Sequence, residues 1–239
     1  MSRAAFFDVD GTLVDSDIVR YGVEIRTAAK GRAGRLLWMA GFLPRVPWYL
    51  ALDSVSRAAF QKSFYRLYRG LPADEMERRS IALYQTYVRP RLRPEALLRL
   101  GRHARKGDTV VLVTGSVEPI VRPLADDLGV RYVLAPRLEV TEGVVSGRLE
   151  GEPLAGERKA DAVRALAAER GIDLAESWAY GDSLDDLPML EAVGRPADVN
   201  PGRRLLERAA EGGWEILRWP AGVRPAAGRS PGRVKGAGR

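Results

Sequence analysis

The sequence holds no cysteine and one histidine in 239 residues. The first absence excludes a disulfide framework and thiol chemistry, and it fits an intracellular, cytoplasmic setting. The lone histidine, His103, falls in an amphipathic helical pattern. It is expected to be solvated and to take no part in catalysis. No apolar run reaches the ~18 residues of a membrane span. The first strand-like run starts at Ala4, which leaves no expected room for a leader. No internal repeat and no nucleic-acid motif is present, so nucleic acid is not an expected partner. Still, 46% of the residues are hydrophobic, enough for a real core. The length suits one large domain or a core with an inserted one.

Charge is distributed unevenly. Residues 16–94 carry fifteen Lys/Arg against six Asp/Glu, a net +9. From Pro220 onward there are five basic residues and no acid. The remainder of the chain is therefore acidic, although the whole carries +7. A basic segment beside an acidic, cation-demanding one suggests an anionic substrate held partly by the basic part.

The stretch Ala4-Ala5-Phe6-Phe7-Asp8-Val9-Asp10-Gly11-Thr12 organises the reading. A short apolar run closed by glycine reads as a buried strand ending in a turn. Ligands of a parallel α/β sheet sit beyond the carboxyl ends of its strands. Asp8 and Asp10 are therefore expected to point into a site. Two acids this close repel unless a cation lies between them, and Mg2+ with oxygen ligands is the simplest choice.

Residues 16–94 contain helix-like patterns and no clear strand, and Ser16-Asp17 could cap the first helix. This segment is expected to be an all-helical cap. Its aromatic and apolar part, Leu36 to Leu52, reads as the core of that cap. The alternative is a patch touching a membrane or a greasy substrate, hence a weak peripheral membrane contact. Strand and helix then alternate to about Trp219: strands at 109–113, 132–135, 177–180 and 197–200, a hairpin over 138–149, and an edge strand over 214–219. The expected fold is α/β, a three-layer Rossmann-like parallel sheet formed by residues 1–15 and 95–219, with the helical cap inserted at 16–94. Residues 220–239, rich in Gly, Pro and Arg, are expected to be a disordered basic tail.

Three expected strand ends carry polar clusters: Asp8/Asp10, Thr114/Ser116 and Asp182/Asp185/Asp186. The first and third offer carboxylates to one cation. Thr114, with the N–H groups after it at a helix start, suits phosphate oxygens. Lys159, opening another helix, adds a point charge for the same group. Ordinary alternatives exist: Asp182, Thr114 and Ser116 could merely cap helices, and Lys159 could be solvated.

In order along the chain stand Asp8-Val9-Asp10-Gly11-Thr12, Val111-Leu112-Val113-Thr114-Gly115-Ser116, Lys159, and Gly181-Asp182-Ser183-Leu184-Asp185-Asp186. With these four motifs the sequence resembles the haloacid dehalogenase superfamily of phosphohydrolases, in the subfamily IB branch that includes phosphoserine phosphatases. The resemblance implies a Mg2+-dependent phosphomonoester hydrolase with Asp8 as nucleophile, forming an aspartyl-phosphate, and Asp10 as acid and base. It implies that Asp8, the backbone carbonyl of Asp10, and Asp182 bind the metal. Thr114, Gly115 and Lys159 would hold phosphate, and Asp186 would support the metal or Lys159. Asp185 stands where the branch usually has Asn, so its role stays open. The branch also carries an acid and a base facing the substrate's ammonium and carboxylate. Asp17 and Lys62 are the residues at the matching positions, each a departure from the usual Glu and Arg. A sugar, polyol or lysolipid phosphate therefore fits as well as phosphoserine. Two other classes stay open: a phosphotransferase using the same intermediate, and a non-catalytic membrane-surface or anion-binding module. Oligomeric state is not legible.

Overall fold

The structure, a computed structural model, describes residues 2–221. The tail expected from residue 220 falls almost wholly outside them. Eight strands form: β1 (Ala4–Asp8), β2 (Thr109–Val113), β3 (Tyr132–Leu134), β4 (Leu138–Thr141), β5 (Val144–Leu149), β6 (Trp178–Gly181), β7 (Arg195–Val199) and β8 (Glu215–Leu217). Six make one parallel sheet in the order β3-β2-β1-β6-β7-β8, and β4-β5 is an antiparallel hairpin. The α/β architecture with a parallel sheet is thus present.

Strand β1 lies between β2 and β6, so every one of its residues is buried. Its side chains alternate between two apolar clusters, as the period of two requires. Ala5 and Phe7 face one cluster, and Ala4 and Phe6 face the other. A central parallel strand covered on both faces must be apolar throughout. That explains why its first carboxylate appears only at its last residue, Asp8.

Five α-helices follow β1 before residue 94: α1 (Ile18–Thr27), α2 (Arg32–Phe42), α3 (Val46–Val55), α4 (Arg57–Phe64) and α5 (Ala73–Leu83). Their buried residues Tyr21, Phe42, Tyr49 and Phe64, with Tyr68 in the turn after α4, join the same cluster as Phe7 and Leu112. The helical segment therefore packs onto the sheet through shared apolar surface. The hairpin fastens it: Gly70 N donates to Val145 O at 2.9 Å and Ala73 N to Gly143 O at 2.9 Å. The 36–52 stretch divides. Phe42 and Tyr49 are buried, whereas Leu36, Leu37, Leu43, Trp48 and Leu50 are exposed, so reading it wholly as core is corrected. Among the described residues, no helix is long and apolar enough to cross a membrane.

Four helices complete the layers: α6 (Pro94–Arg105), α7 (Glu118–Leu128), α8 (Glu157–Arg170) and α10 (Arg203–Gly212), with the short α9 (Leu187–Glu191). Gly129 ends α7 in the left-handed conformation, φ 66°, the expected glycine stop.

His103 contradicts its expected solvation. It is buried on α6 against the sheet, with Nδ1 2.9 Å from Asp108 Oδ2 and Nε2 2.8 Å from the Tyr180 hydroxyl. The amphipathic pattern places His103 on the helix but does not reveal that Asp108 and Tyr180 supply both of its polar partners. Burial lowers its pKa from the ordinary 6.5, against Asp108, which raises it. The neutral ring donates from Nδ1 and accepts at Nε2. His103→Ala should cost about 2–4 kcal/mol in urea unfolding, because it opens a cavity and orphans the Tyr180 hydroxyl. The unfolded chain protonates its His more readily. Wild-type stability should therefore fall as pH drops through about 6.5, and the variant should lack that component.

Candidate active site

The chain leaves β1 at Asp8 and folds back at once. Gly11, at φ 90°, donates its N–H to Val14 O at 2.8 Å, while Leu13 and Val14 N–H both return to Val9 O. This tight loop turns Asp10 toward the end of β2. Asp10 Oδ2 accepts from Ser116 Oγ at 2.7 Å and Thr114 Oγ1 at 3.1 Å. Ser116 N in turn donates to Thr114 Oγ1 at 2.9 Å. Ser116 is thus no helix cap, since α7 begins at Glu118 with Val117 as its unbonded cap residue. Its hydroxyl fixes Asp10 instead. The Tyr21 hydroxyl on α1 also approaches Asp10, without closing a hydrogen bond of normal geometry. Burial raises the Asp10 pKa, and the hydrogen bond from Ser116 is the largest influence against it.

Lys159, in the first turn of α8, is buried rather than solvated. Its Nζ donates to Asp8 Oδ1 at 2.8 Å and Asp186 Oδ1 at 2.5 Å, with Asp185 Oδ2 at 3.7 Å. Burial alone would lower its pKa, but Asp186 and Asp8 hold it well above its usual range. The other oxygen of Asp186 accepts from Asp182 N, Ser183 N and Ser183 Oγ at 3.3, 3.2 and 2.8 Å. Asp186 therefore fastens the loop that carries Asp182. Asp185 has a visible partner: Oδ1 accepts from Gly156 N at 2.9 Å, joining this loop to the start of α8.

Oxygens of Asp8, Asp182 and Asp186 lie within 4.8 Å of one another. Asp8 Oδ2 and Asp10 Oδ1 are buried without any partner. Burial, then Asp186, pushes the Asp8 pKa well up, and the same two causes push Asp182 up to about 7. Orphaned buried carboxylate oxygens, packed together and reluctant to ionise, fit a hard divalent cation with oxygen ligands. Asp8, Asp182 and Asp186 are the side chains brought close enough together to hold such an ion.

Asp17 and Lys62 are not brought to Asp8. The Asp17 side chain caps α1, accepting from Arg20 N at 2.9 Å, because the first turn of a helix leaves that N–H unpaired. Lys62 pairs with Glu152 at 2.7 Å on the half-exposed surface. One residue earlier stands a side chain not anticipated from the sequence. Gln61 is wholly buried, both of its amide atoms lack a partner, and its Nε2 lies against Gly115. Its signal was a polar residue on the buried stripe that also carries Phe64, Tyr65 and Tyr68. The Tyr65 hydroxyl donates to Gly115 O, so α4 and the turn after it rest directly on the loop after β2. A second unanticipated acid is Asp198 on β7, level with Gly181. Neither of its oxygens has a partner, and burial, then Asp186, pushes it up to about 6.

Comparison with known proteins places the chain in a family. The haloacid dehalogenase-like hydrolase family profile matches residues 5–191. The Mycobacterium tuberculosis protein named phosphoserine phosphatase SerB1 is 33% identical over 224 residues, covering 90% of this chain and 70% of that one. A crystal structure of a Bordetella pertussis Tohama I protein of unknown function superposes with TM-score 0.79 at 29% identity, over 91% of this chain and 98% of that one. A structure titled as a phospho-aspartyl intermediate analogue of phosphoserine phosphatase shares the fold, with TM-score 0.66 at 20% identity over 92% and 94% of the two chains.

Two outcomes test the geometry. A Cβ on Gly11 would lie 2.1 Å from Asp182 Oδ2, at a φ that L-residues resist. Gly11→Ala should cost about 1–3 kcal/mol in unfolding assays and about a hundredfold or more in turnover. Asp8, Asp10 and Asp182 are all harder to ionise folded than unfolded. Their contribution to stability is present below their ordinary 3.8 and is lost for Asp182 as pH rises through about 7. Added Mg2+ should therefore raise the melting temperature more at about pH 8 than at about pH 5. An equal shift at both values would show that these acids do not hold it.

Proposed function

The chain is a phosphatase of the haloacid dehalogenase-like hydrolase family, and from that premise we propose that it hydrolyses a small anionic phosphomonoester through an aspartyl-phosphate on Asp8. The observation that carries this reading is the unpartnered Asp8 Oδ2, buried at the end of the central strand beside a second acid that is itself held by two hydroxyls.

In the first step, Asp8 Oδ2 attacks phosphorus and the bond to the leaving alkoxide breaks. Asp10 gives that alkoxide its proton. Burial suits it to the task, because a carboxyl with a raised pKa keeps a proton to donate. In the second step Asp10 takes a proton from water, which attacks phosphorus and releases phosphate and free Asp8. Thr114 and Ser116 keep Asp10 in one orientation through both steps. Lys159 Nζ, 2.8 Å from Asp8 Oδ1, orients the nucleophile and supplies positive charge to the transferring group. Bound magnesium, held by Asp8, Asp182 and the Asp10 main-chain carbonyl, would neutralise phosphoryl oxygens so that a carboxylate can approach an anion. Gly115, close-packed under Gln61, offers its N–H beside the same group.

Substrate choice belongs to the helical segment. The relative named phosphoserine phosphatase supports an amino-acid phosphate. Against it, Asp17 is engaged as a helix cap and Lys62 is paired with Glu152. The neutral amide of Gln61, like the hydroxyls of Tyr21, Tyr68 and Ser80, is buried without a partner, and such uncharged groups fit a hydroxyl-bearing leaving group as readily as an amino acid. A phosphomonoester panel with Mg2+, including phosphoserine, sugar phosphates and lysophosphatidate, separates these.

Asp8→Asn should lower turnover about a thousandfold or more while leaving the melting temperature at least as high as in the wild type, because it removes a poorly ionised buried acid. Acid-quenched wild-type enzyme should carry one phosphoryl group on the peptide containing Asp8. Near-normal turnover by Asp8→Asn, or a phosphoryl group on another peptide, would overturn the assignment.

A further inference from the structure

Helices α2 and α3 are joined by one turn of 3-10 helix, Leu43–Arg45, into an almost continuous rod. Its sequence is apolar on nearly every side. An amphipathic helix has one apolar face, and this rod has two. The inner face, with Phe42 and Tyr49, packs into the core. The outer face carries Leu36 at 72% exposure, Leu37 at 78%, Leu43 at 57% and Trp48 at 61%. Leu36 and Leu43 lie seven residues apart and Leu37 and Trp48 eleven, whole numbers of helical turns, so the four share the side of the rod turned away from Phe42 and Tyr49 and form one stripe. Large exposed apolar stripes mark surfaces that meet something.

The charge around the stripe selects what it meets. From Ile25 to Leu52 the chain has five basic residues and no acid. Lys30, Arg32 and Arg45 are exposed and make no ion pair among the described residues. A second copy docking here through a two-fold axis would bring these cations against their own images. The chain's own terminal segment, with Arg224, Arg229, Arg233, Lys235 and Arg239, has the same sign and little apolar surface to offer. An anionic lipid surface complements both properties. It accepts leucines and a tryptophan at the headgroup boundary and pairs with flanking Lys and Arg.

We propose that the exposed face of α2–α3 is a peripheral membrane-docking surface for anionic lipid. The rod would lie flat on the bilayer, with its stripe at the boundary of headgroups and acyl chains. Leu50, on the same helix, also lines a cleft of about 370 Å³ with Asp17, Tyr49 and Arg57. Docking would therefore set that cleft beside the lipid surface.

The test is co-sedimentation of the full chain with vesicles, either of phosphatidylcholine alone or with about one-third phosphatidylglycerol. The wild type should sediment with the anionic vesicles at low salt and with neither type at high salt. Leu36→Asp/Leu37→Asp should lower the bound fraction about tenfold, and Trp48→Ser should lower it severalfold. Both should keep the wild-type melting temperature and hydrolysis of a soluble phosphomonoester, since these side chains touch neither the core nor the acids. Three results would overturn the proposal. One is no binding to anionic vesicles at low salt. Another is binding that the Leu36→Asp/Leu37→Asp variant leaves intact, which would place attraction in the basic terminal segment alone. The third is a wild-type dimer in solution that the same variant dissolves without vesicle binding, which would make a second copy the occupant.

Discussion

The contact of Lys159 Nζ with Asp8 and Asp186 holds the site together. Asp8 ends the central strand, Asp186 follows β6, and Lys159 opens α8, so one ammonium joins three elements that are remote in sequence. Around it stand Asp10, Asp182, Asp185 and Asp198, and the acids far outnumber this base. Isolated buried charge is expensive, so among these surplus acids it is loss of the single ammonium that would cost more than any one of its pairs contributes. The cluster persists because its oxygens are used structurally. Asp186 holds the Asp182 loop, Asp185 holds the start of α8, and Asp10 is held by two hydroxyls. The oxygens left over are the ones a cation and a phosphoryl group would need.

The excess of negative charge also constrains the proposed chemistry. A dianionic ester would be repelled by bare carboxylates, and one lysine cannot offset them all. Positive charge has to arrive with the substrate or before it, which is the demand a divalent cation meets. Burial has a second effect at Asp10. The same exclusion of water that makes an anion costly there raises the carboxyl's affinity for a proton, which would serve the leaving group in the proposed reaction. Stability is thereby sacrificed at the strand ends, while the shared apolar clusters on both faces of β1 supply it.

Much of this was legible in the sequence. The parallel sheet follows from short apolar runs separated by helical patterns. The polar groups that the fold gathers stand where such runs end, at Asp8, Thr114 and Asp182, because carboxyl ends of parallel strands share an edge. Lys159 was legible through its place in an ordered set of motifs, although a lysine on a helix is ordinarily solvated. What escaped reading depends on partners far along the chain. His103 looks like a surface residue of an amphipathic helix until Tyr180, 77 positions on, is seen to face it. Ser116 looks like a helix cap until the loop after β1 brings Asp10 within 2.7 Å. Asp17 and Lys62 sit at plausible positions, but local partners are nearer: the unpaired N–H of Arg20 for one and Glu152 for the other. Gln61 escapes the sequence because a polar residue amid aromatic neighbours reads as an interruption of a core stripe rather than as a group set against Gly115.

The helical segment links these themes. Its inner face places Tyr65 on the carbonyl of Gly115, sets Gln61 against the same glycine and brings Tyr21 up to Asp10. These contacts create the burial that raises Asp10. Were α1 and α4 to lift from the sheet, Asp10 would meet water and its proton affinity would fall toward that of an ordinary carboxyl. The proton needed by the leaving group is thus most firmly held when the segment is closed over the sheet. Closure and acid strength are coupled by the physics of desolvation alone. Sequence variation in the segment can change what is bound, and a cap that seats its substrate poorly would leave Asp10 more readily ionised, without the proton that the proposed reaction takes from it.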